Sequence, residues 1–381
     1  MSLMSKLEEY PMLLRRMVYY KYWLKLNGRH YAKKLLRKYK TVLPAKFEYP
    51  TELQLPITYK CNCDCIMCGM HEMAGYPGFA PEELDAILAD DLFKEITGVG
   101  VNGGEPFLLP NLCDYVEVLL NRLPKLQHVY IISNGTVEFQ MFDILKKIYE
   151  ACHAKSVKLH LTVSIDGIGK VHDLVRGRKN IFEKAERTCE KLKNAEGYCD
   201  SFGTICTITN KNIAFVNEVE VWAAEKGIPV SYNVATEHAR LQNSQRFDNF
   251  SVFADEKARH LTLEFFYSRF LKTQERKYFA LYYYVKTGKR IAGCNCHSGS
   301  VTLTPNSMLA YCATHSREIG KAEPGTAKKV YEENLSHRKE LFEQTCDSCS
   351  HYMYDLTEEG EKLYIQELLK HIGRPGKFRV R

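Results

Sequence analysis

The sequence has no long apolar stretch. Hydrophobic residues make up 45% of the 381 positions, but charged residues interrupt them every few positions, so no segment predicts a transmembrane helix. The N-terminus lacks the apolar core and the small-residue cleavage site of a secretory signal. Internal repeats and low-complexity segments are also missing. We therefore expect a soluble, cytoplasmic protein that is large enough to bury a substantial core.

Basic charge is concentrated in the N-terminal segment. Residues 1–50 contain twelve Lys and Arg against three Glu, a net charge of +9, whereas the whole chain carries +7. Apolar and basic residues interleave at helical spacing over 10–40, which predicts amphipathic helices. Such helices pack on a core with extended Lys and Arg stems, or they contact a membrane surface or another anionic partner. Because the basic residues lie apart from the rest and no recognition module is present, we predict no nucleic-acid partner.

Residues 52–235 alternate between β-rich apolar runs and amphipathic segments. The apolar runs predict six strands, at 53–58, 98–102, 128–133, 158–165, 202–207 and 230–234. The amphipathic segments predict helices at 81–96, 112–123, 140–152, 181–194 and 212–226. Strands that alternate with helices indicate an α/β fold with a parallel sheet, whose chemistry lies at the C-terminal ends of the strands.

Fourteen cysteines are many for a chain in a reducing compartment, where metal binding is a commoner use of cysteine than a disulfide framework. Four of them fall within 61–68, and five lie in the last quarter of the chain. The others are scattered through periodic segments, where we expect small buried apolar residues. These are Cys113, Cys152, Cys189, Cys199 and Cys206.

The first cysteine group directly follows the first predicted strand and reads Cys61-Asn-Cys-Asp-Cys65-Ile-Met-Cys68. The C-x3-C-x2-C spacing of Cys61, Cys65 and Cys68 supplies three thiolates, which can hold three irons of a four-iron cluster and leave the fourth iron open. Cys63 interrupts this spacing and is a competing ligand. A zinc site with His71 as its fourth ligand is the alternative.

This spacing resembles the radical S-adenosylmethionine superfamily, as does Gly103-Gly104-Glu105-Pro106 after the second strand. The resemblance covers roughly residues 50–235 and implies a partial (β/α)6 TIM-like barrel. It also implies a [4Fe–4S] cluster whose open iron binds S-adenosylmethionine, and a reducing electron donor such as flavodoxin or ferredoxin. In this family, reductive cleavage of S-adenosylmethionine gives methionine and a 5′-deoxyadenosyl radical that abstracts a hydrogen atom from the substrate.

The resemblance further implies which residues contact S-adenosylmethionine. Gly103 and Gly104 would let the backbone approach the methionine moiety, and Glu105 would accept a hydrogen bond from its ammonium group. The remaining implied contacts are Met67, Ser133, Asn134, Ser164, Asp166 and Arg176. Turns that close the strands are the alternative for the Asn-Gly and Asp-Gly pairs, and a solvated surface position is the alternative for the arginine. The family usually has an aromatic residue where this chain has the methionine.

The second cysteine group resembles the auxiliary-cluster extension of the SPASM and Twitch subgroup. A Cys-His-Ser-Gly segment precedes a hairpin predicted at 300–312, and a Cys-x2-Cys pair follows a charged helical segment. The resemblance implies one auxiliary [4Fe–4S] cluster with four ligands: Cys296, Cys312, Cys346 and Cys349. Cys294 is the rival of the first of these, and Ser307 replaces a glycine of the family's hairpin. A rubredoxin-like iron or zinc site on the same thiolates is the alternative.

The expected organisation has four parts. They are a basic helical extension at 1–50, a radical S-adenosylmethionine core at 51–240, a helical linker at 241–290 and a Twitch/SPASM-like auxiliary-cluster domain at 291–381. The residues that end or follow the sixth strand are candidates for a catalytic acid or base, which the sequence does not identify. They are Tyr232, Glu237, His238 and Arg240.

An auxiliary cluster without an open iron moves electrons, so we predict an oxidoreductase. A sugar or cyclitol is the first predicted substrate class, because the basic segment 1–50 is too short for a leader-peptide-binding domain. The alternative is a peptide- or protein-modifying enzyme, such as a maturase of ribosomally made peptides or of sulfatases. A non-catalytic electron-transfer protein is the third hypothesis.

Iron content distinguishes these arrangements. Two four-iron clusters require about eight irons and eight labile sulfides per chain after anaerobic reconstitution. A zinc or empty second site gives about four irons. Absence of iron would contradict the assignment of both cysteine groups. Colorimetric iron and sulfide assays, normalised to protein concentration, make the measurement.

Overall fold

The computed structural model describes residues 47–294, 296, 299–351, 353 and 355–371. The amphipathic helices predicted at 10–40 lie outside the described residues. Among those that are described, no helix combines the length and the apolar character needed to cross a membrane.

The described strands form one sheet of nine, in the order β6-β5-β4-β3-β2-β1-β7-β8-β9. Strands β1 to β7 pair in parallel, whereas β8 and β9 pair antiparallel. Their bounds are β1 Glu52–Pro56, β2 Gly98–Asn102, β3 His128–Ser133, β4 Lys158–Ser164, β5 Ser201–Ile208, β6 Val230–Val234, β7 Ser300–Leu303, β8 Met308–Ala310 and β9 Gly320–Lys321. The predicted α/β class with a mostly parallel sheet is confirmed, and the six predicted strands are β1 to β6.

Helices connect the parallel strands and continue after them. Their bounds are α1 Pro81–Leu88, α2 Leu112–Arg122, α3 Glu138–Ala154, α4 Lys170–Arg176, α5 Phe182–Lys193, α6 Val216–Lys226, α7 Phe247–Phe250, α8 Glu256–Thr273, α9 Arg276–Thr287, α10 Ala327–Glu333, α11 Leu335–Gln344 and α12 Glu358–His371. A right-handed helical crossover is the usual way to join neighbouring parallel strands.

Two predicted helices are interrupted, for identifiable local reasons. The helix expected at 81–96 ends at Leu88, because the side chain of Asp90 accepts a hydrogen bond from the backbone N–H of Leu92 at 2.9 Å and starts a separate 3-10 turn. The helical linker expected at 241–290 is likewise interrupted between α8 and α9, because Gln274 has a left-handed φ of 57°.

The hairpin of the cysteine-rich tail belongs to the central sheet. Strand β7 pairs in parallel with β1, in the register Glu52 with Ser300 and Gln54 with Thr302. Sequence periodicity did not predict this pairing. The turn between β7 and β8 contains Ser307 at a φ of 63°, a conformation that favours glycine. This backbone requirement explains why the related family has a glycine there.

The chain divides into two compact units. One contains residues 44–263 and 295–351, and therefore includes the whole sheet together with the 312–349 segment. The organisation predicted from the sequence instead assigns these two stretches to different domains, the core at 51–240 and the auxiliary-cluster domain at 291–381. The described part of the other unit is residues 264–294, 353 and 355–371.

The second unit has an aromatic core tied by polar contacts. Phe270 and Phe279 have ring centroids 5.1 Å apart, and the ring of Tyr364 lies within 5.6 Å of both. The Tyr364 hydroxyl donates to the Gln274 carbonyl at 2.7 Å, and Arg276 pairs with Glu361 at 2.8 Å. These contacts join α8, α9 and α12 into one structure.

The two faces of the sheet differ in chemistry. In β3, Val129 and Ile131 are buried beneath the helices, whereas Tyr130 and Ile132 are 41% and 40% exposed on the other face. Tyr130 stacks there on His160 of β4, with ring centroids 4.6 Å apart. Alternation of this kind follows from the two-residue period of a strand.

Adjacent isoleucines of β3 provide a matched test of this arrangement. Ile131→Ala is expected to lower the free energy of unfolding by about 2–5 kcal/mol, because a 1% exposed side chain leaves a cavity. Ile132→Ala is expected to cost less than about 1 kcal/mol, because the side chain is half exposed. Urea denaturation followed by circular dichroism measures both changes. Equal losses would contradict the assignment of the two faces.

Candidate functional site

The first cysteine group lies on a loop that follows β1 and is held by the end of helix α4. Asp64 N–H donates to the Arg176 carbonyl at 2.9 Å, and Ile66 N–H donates to the Val175 carbonyl at 3.0 Å. Gly177 ends α4 with a φ of 67°, and a Cβ atom there would lie 1.9 Å from the Asp64 carbonyl oxygen. Only glycine therefore fits where the helix end meets the loop.

Arg176 connects this loop to the end of β4. Its guanidinium lies 2.7 Å from the Asp166 carboxylate, and it donates to the Cys65 sulfur at 3.7 Å. Burial raises the pKa of Asp166, and the arginine charge opposes that effect. A hydrogen bond from Cys63 and the charge of Arg176 hold the pKa of Cys65 below its usual range. The group predicted to bind the carboxylate of S-adenosylmethionine is thus engaged with the protein itself.

The end of β3 contacts the same loop through Asn134. Its Nδ2 donates to the Asn62 side-chain oxygen Oδ1 at 2.7 Å and to the Cys63 sulfur at 3.3 Å. Its own Oδ1 accepts from the Thr136 N–H at 2.9 Å, and Asn62 Nδ2 donates to the Thr136 hydroxyl at 2.8 Å. Asn134 and Asn62 therefore align the loop with the C-terminal edge of the sheet.

The Gly103-Gly104 pair packs on the backbone that leads into the cysteine loop. A Cβ atom on Gly103 would lie 2.5 Å from the Thr58 carbonyl oxygen, and one on Gly104 would lie 2.0 Å from that of Lys60. Glycine is thus required at both positions because the backbone of residues 58–60 lies against them. Approach of this backbone to the methionine moiety stays a prediction.

Glu105 ties the ends of β2 and β3 together. Its fully buried carboxylate accepts from the Ser133 hydroxyl at 2.9 Å, the Asn134 N–H at 2.7 Å and the Phe107 N–H at 3.2 Å. Burial raises the pKa of this carboxyl to about 7, against the effect of these donors. Glu105 and Ser133 are therefore partners of each other, and their contacts with the cofactor stay predictions.

The loop after β4 is fixed by a second set of hydrogen bonds. Asp166 accepts from the Thr207 N–H at 2.7 Å, and its own N–H donates to His172 at 3.1 Å. The Asn212 amide donates to the Asp166 carbonyl at 2.8 Å. Ser164, the last residue of β4, is buried beside this loop. These bonds position Asp166 under Arg176.

A segment that follows β6 holds the other side of the cysteine loop. Asn243 donates to the Met67 carbonyl at 2.9 Å, and Gly69 N–H donates to the Leu241 carbonyl at 2.8 Å. Met67 is buried with Cys65, Val175 and Phe250. Adenine contact by its thioether stays a prediction.

Hydrogen-bond donors reach two sulfurs of the cysteine loop, those of Cys65 and Cys63. Donors from Arg176 and Asn134 reach the cysteine sulfurs, and such donors stabilise thiolates that carry negative charge. His71, the expected fourth zinc ligand, lies instead 2.9 Å from the Asp64 carboxylate. Within the described residues, no three or more His, Cys, Asp or Glu side chains converge on a metal site. The ligand assignments, including the choice against Cys63, therefore stay predictions.

Two residues of the second cysteine group contact each other. Cys296 forms a side-chain hydrogen bond with Cys312, which lowers the pKa of the Cys312 thiol to about 6. The Cys312 sulfur also accepts from the His315 N–H at 3.3 Å, and the Cys349 sulfur accepts from the His351 N–H at 3.3 Å. The choice of Cys296 over Cys294 as the first ligand stays a prediction. Cys346 begins the short 3-10 turn Cys346–Ser348 that leads to Cys349.

The candidates at the end of the sixth strand have different environments. Tyr232 is fully buried within β6, and Glu237 is exposed. His238 is buried, and its pKa lies well below the usual value because of burial and the charge of Arg240. Arg240 is half-buried in the turn Ala239–Leu241. No described contact identifies one of them as an acid or base.

Sequence reasoning missed several residues that hold the site. They are Asn62, Thr136, Gly177, Asn212 and Asn243. The Arg-Gly pair at the end of α4 was a usable signal for the glycine, since glycine commonly follows a helix. The sequence around Asn243 does not reveal its contact with the cysteine loop, because that partner, Met67, lies 176 residues away.

Residues 55–218 match the family model of the Radical SAM superfamily. This match begins at the end of β1 and includes β2 to β5 and the first cysteine group. The chain therefore contains a radical SAM domain, as its motifs predict, and the family's cofactors are S-adenosylmethionine and a [4Fe–4S] cluster.

The chain is similar to the sporulation killing factor maturation protein SkfB of Bacillus subtilis (strain 168). The two are 26% identical over 147 residues, which are 38% of this chain and 33% of SkfB. A second relative, the uncharacterized protein MJ0907 of Methanocaldococcus jannaschii, is 28% identical over 44% of this chain and 56% of its own length. The chain thus spans only a third to about half of these relatives.

The fold is similar to that of anSMEcpe with bound AdoMet. The TM-score is 0.58 at 19% identity, with 85% of this chain and 94% of that chain covered. A complex of anSMEcpe with AdoMet and the Cp18Cys peptide gives a TM-score of 0.54 at 20% identity, over 84% and 97% of the two chains. At these identities the similarity establishes the shared fold.

Gly177→Ala tests whether the end of α4 supports the first cysteine group. The substitution places a Cβ atom against Asp64, so reconstituted protein is expected to lose about four of eight irons. Gly227→Ala is the matched control, since Gly227 also ends a helix at a φ of 64° but has only the Lys193 side chain nearby, at 3.4 Å. Both substitutions carry the left-handed strain of about 1–2 kcal/mol. Iron assays that give equal values for both variants would contradict the proposed support.

Proposed function

We propose that this protein is a radical S-adenosylmethionine oxidoreductase with an auxiliary iron–sulfur cluster. The first cluster would be held by Cys61, Cys65 and Cys68. The second would be held by the later cysteines of the same compact unit, namely Cys296, Cys312, Cys346 and Cys349.

The Cys65–Arg176–Asp166 contact is the observation that carries the proposal. It places a buried cation against a ligand sulfur at the C-terminal edge of a parallel sheet. A cation there stabilises thiolate and offsets the negative charge of a sulfur-rich site.

When bound, the cluster and S-adenosylmethionine supply a one-electron cleavage of the sulfonium C–S bond, which yields methionine and a 5′-deoxyadenosyl radical that abstracts a substrate hydrogen. The chain's own residues orient and enclose that chemistry. Helix α4 and Asn134 fix the loop, and the buried Met67 and Phe250 exclude water from one side of it.

The auxiliary cluster gives the proposal its redox character. A four-thiolate cluster has no open iron, so it would accept the electron left on the substrate after hydrogen abstraction. Backbone N–H groups donate to two of the four sulfurs, from His315 to Cys312 and from His351 to Cys349, and such donors suit metal-bound thiolates.

The names of the relatives favour a peptide or protein substrate. SkfB is a maturation protein, and anSMEcpe has been solved with a bound peptide. This reverses the order of the two substrate classes expected from sequence. Oxidation of a sugar or cyclitol remains the second class, since it uses the same two clusters.

Single cysteine substitutions test the proposal. With dithionite as reductant, reconstituted protein is expected to convert S-adenosylmethionine to 5′-deoxyadenosine and methionine, and Cys65→Ala is expected to abolish this conversion. Cys349→Ala is expected to keep the conversion but to lose about four irons, because it removes an auxiliary ligand only. Chromatography of both products makes the measurement.

Cys199→Ala is the control, because Cys199 lies outside both groups. Its activity and iron content are expected to equal those of the unmodified protein. Conversion by Cys65→Ala at the unmodified rate would contradict the first cluster site.

A further inference from the structure

Helix α4 lies between the first cysteine group and solvent. On its inner side, the Val175 carbonyl accepts from the Ile66 N–H at 3.0 Å, and Arg176 donates to the Cys65 sulfur at 3.7 Å. Val175 is fully buried together with that loop. A helix with its side chains is about 10 Å wide, so the outer surface of α4 is separated from the cysteine loop by about that distance.

The outer surface of α4 combines an exposed leucine with exposed cations. Leu174 is 57% exposed, and the exposed Lys170 lies four residues before it, on the same side of the helix. Arg178 and Lys179 follow the helix and are also exposed. The Arg178 N–H donates to the Asp173 carbonyl at 3.1 Å, which holds this pair beside the helix end. We call Lys170, Leu174, Arg178 and Lys179 the α4 patch.

The α4 patch carries positive charge that its neighbours do not balance. Its cations form no ion pair within the part of the chain that the structure describes. The carboxylate of Asp173 is directed away from them, because it accepts from three backbone N–H groups at the start of α5, at 2.6 to 3.1 Å. Asp64, which packs against the end of α4, lies 2.9 Å from His71. Exposed cations of this kind attract an acidic partner and accelerate its association.

The α4 patch belongs to the helix-covered side of the sheet. His172 of α4 contacts Phe182 of α5, with ring centroids 5.8 Å apart. Helix α5 covers the face of β4 that includes Val163, since Val163 and Ala185 both lie against Gly135. The exposed side chains of β3 are on the opposite face. A substrate on that open face therefore leaves the α4 patch accessible to a second partner.

We propose that the α4 patch docks an acidic one-electron carrier protein, which reduces the first cluster. This inference rests on the proposed radical function, because each cleavage of S-adenosylmethionine requires one electron at that cluster. One electron leaves the carrier, which is oxidised, and enters the cluster, which is reduced, and no atom is transferred. A patch of four side chains suits the small, transient interfaces that redox partners form, and its charge is complementary to an acidic surface.

The first test is direct binding. Oxidised flavodoxin and oxidised ferredoxin, both acidic carriers, are titrated separately into the reconstituted full chain, and biolayer interferometry measures the affinity at low ionic strength. Lys179→Glu is expected to weaken binding of the carrier by about tenfold or more, because it places a like charge against the acidic partner. Leu174→Ser is expected to weaken binding by a smaller factor that is independent of salt, because it removes an apolar contact only.

Lys155→Glu is the matched control. Lys155 is also an exposed lysine, but it precedes β4 and therefore lies at the opposite edge of the sheet from α4. The substitution makes the same change of net charge and is expected to leave the affinity for the carrier unchanged. An equal loss of affinity in Lys155→Glu and Lys179→Glu would show that net charge decides the binding, and would overturn the assignment to the α4 patch.

The rate of 5′-deoxyadenosine formation is the second readout. With reduced carrier as the electron source, the rate is expected to fall in Lys179→Glu by about the same factor as the affinity. With dithionite, which needs no docking surface, the rate is expected to equal that of the unmodified protein. Both rates are measured without substrate, so that a loss of substrate binding does not affect them.

Four further results would overturn the docking surface. They are absence of binding by both carriers, equal affinity of the unmodified protein and Lys179→Glu, an equal loss of the dithionite-driven rate in Lys179→Glu, and binding of poly-glutamate but of neither carrier. The last result would assign the patch to an acidic peptide. If the unmodified protein forms no 5′-deoxyadenosine with dithionite, the radical function itself is contradicted, whereas the four results above leave that function in place.

Discussion

The buried pair of Arg176 and Asp166 is the interaction on which the rest of the site depends. Both groups are desolvated, so each is stable as an ion only while the other is in place. The pair is also connected in two directions, through Thr207 to β5 and through the Cys65 sulfur to the cysteine loop. Movement of the cysteine loop would therefore disturb the buried charges of Arg176 and Asp166. The position of the loop is in this way coupled to the stability of the sheet.

This dependence changes how the motif residues are interpreted. Glu105, Ser133 and Asp166 lie at positions where the resemblance implies cofactor contacts, and each also bonds to groups at a neighbouring strand. In the described structure they connect the strand ends. A motif with this role constrains the shape of the C-terminal edge of the sheet. That edge then presents backbone groups and cysteine sulfurs to a ligand.

Local patterns predicted the strands well, because each strand's apolar run depends on neighbours within the run. Val129 and Ile131 face the core for the same reason that they read as β-rich in sequence. The failures involve partners that are distant in sequence. Gly177 meets Asp64, Asn243 meets Met67, and β7 meets β1 across about 248 residues. The periodicity of the sequence does not predict such contacts, because they form only between segments that the completed sheet brings together.

The pairing of β7 with β1 has a chemical consequence for the two cysteine groups. One group follows β1, and the other begins directly before β7, so the same pair of neighbouring strands carries both. The segment 236–243 then connects them a second time by hydrogen bonds to Met67, Gly69 and Thr314. Two independent connections within one compact unit restrict relative movement of the groups. Electron transfer is sensitive to separation, so a fixed separation is what an oxidation that uses both clusters requires.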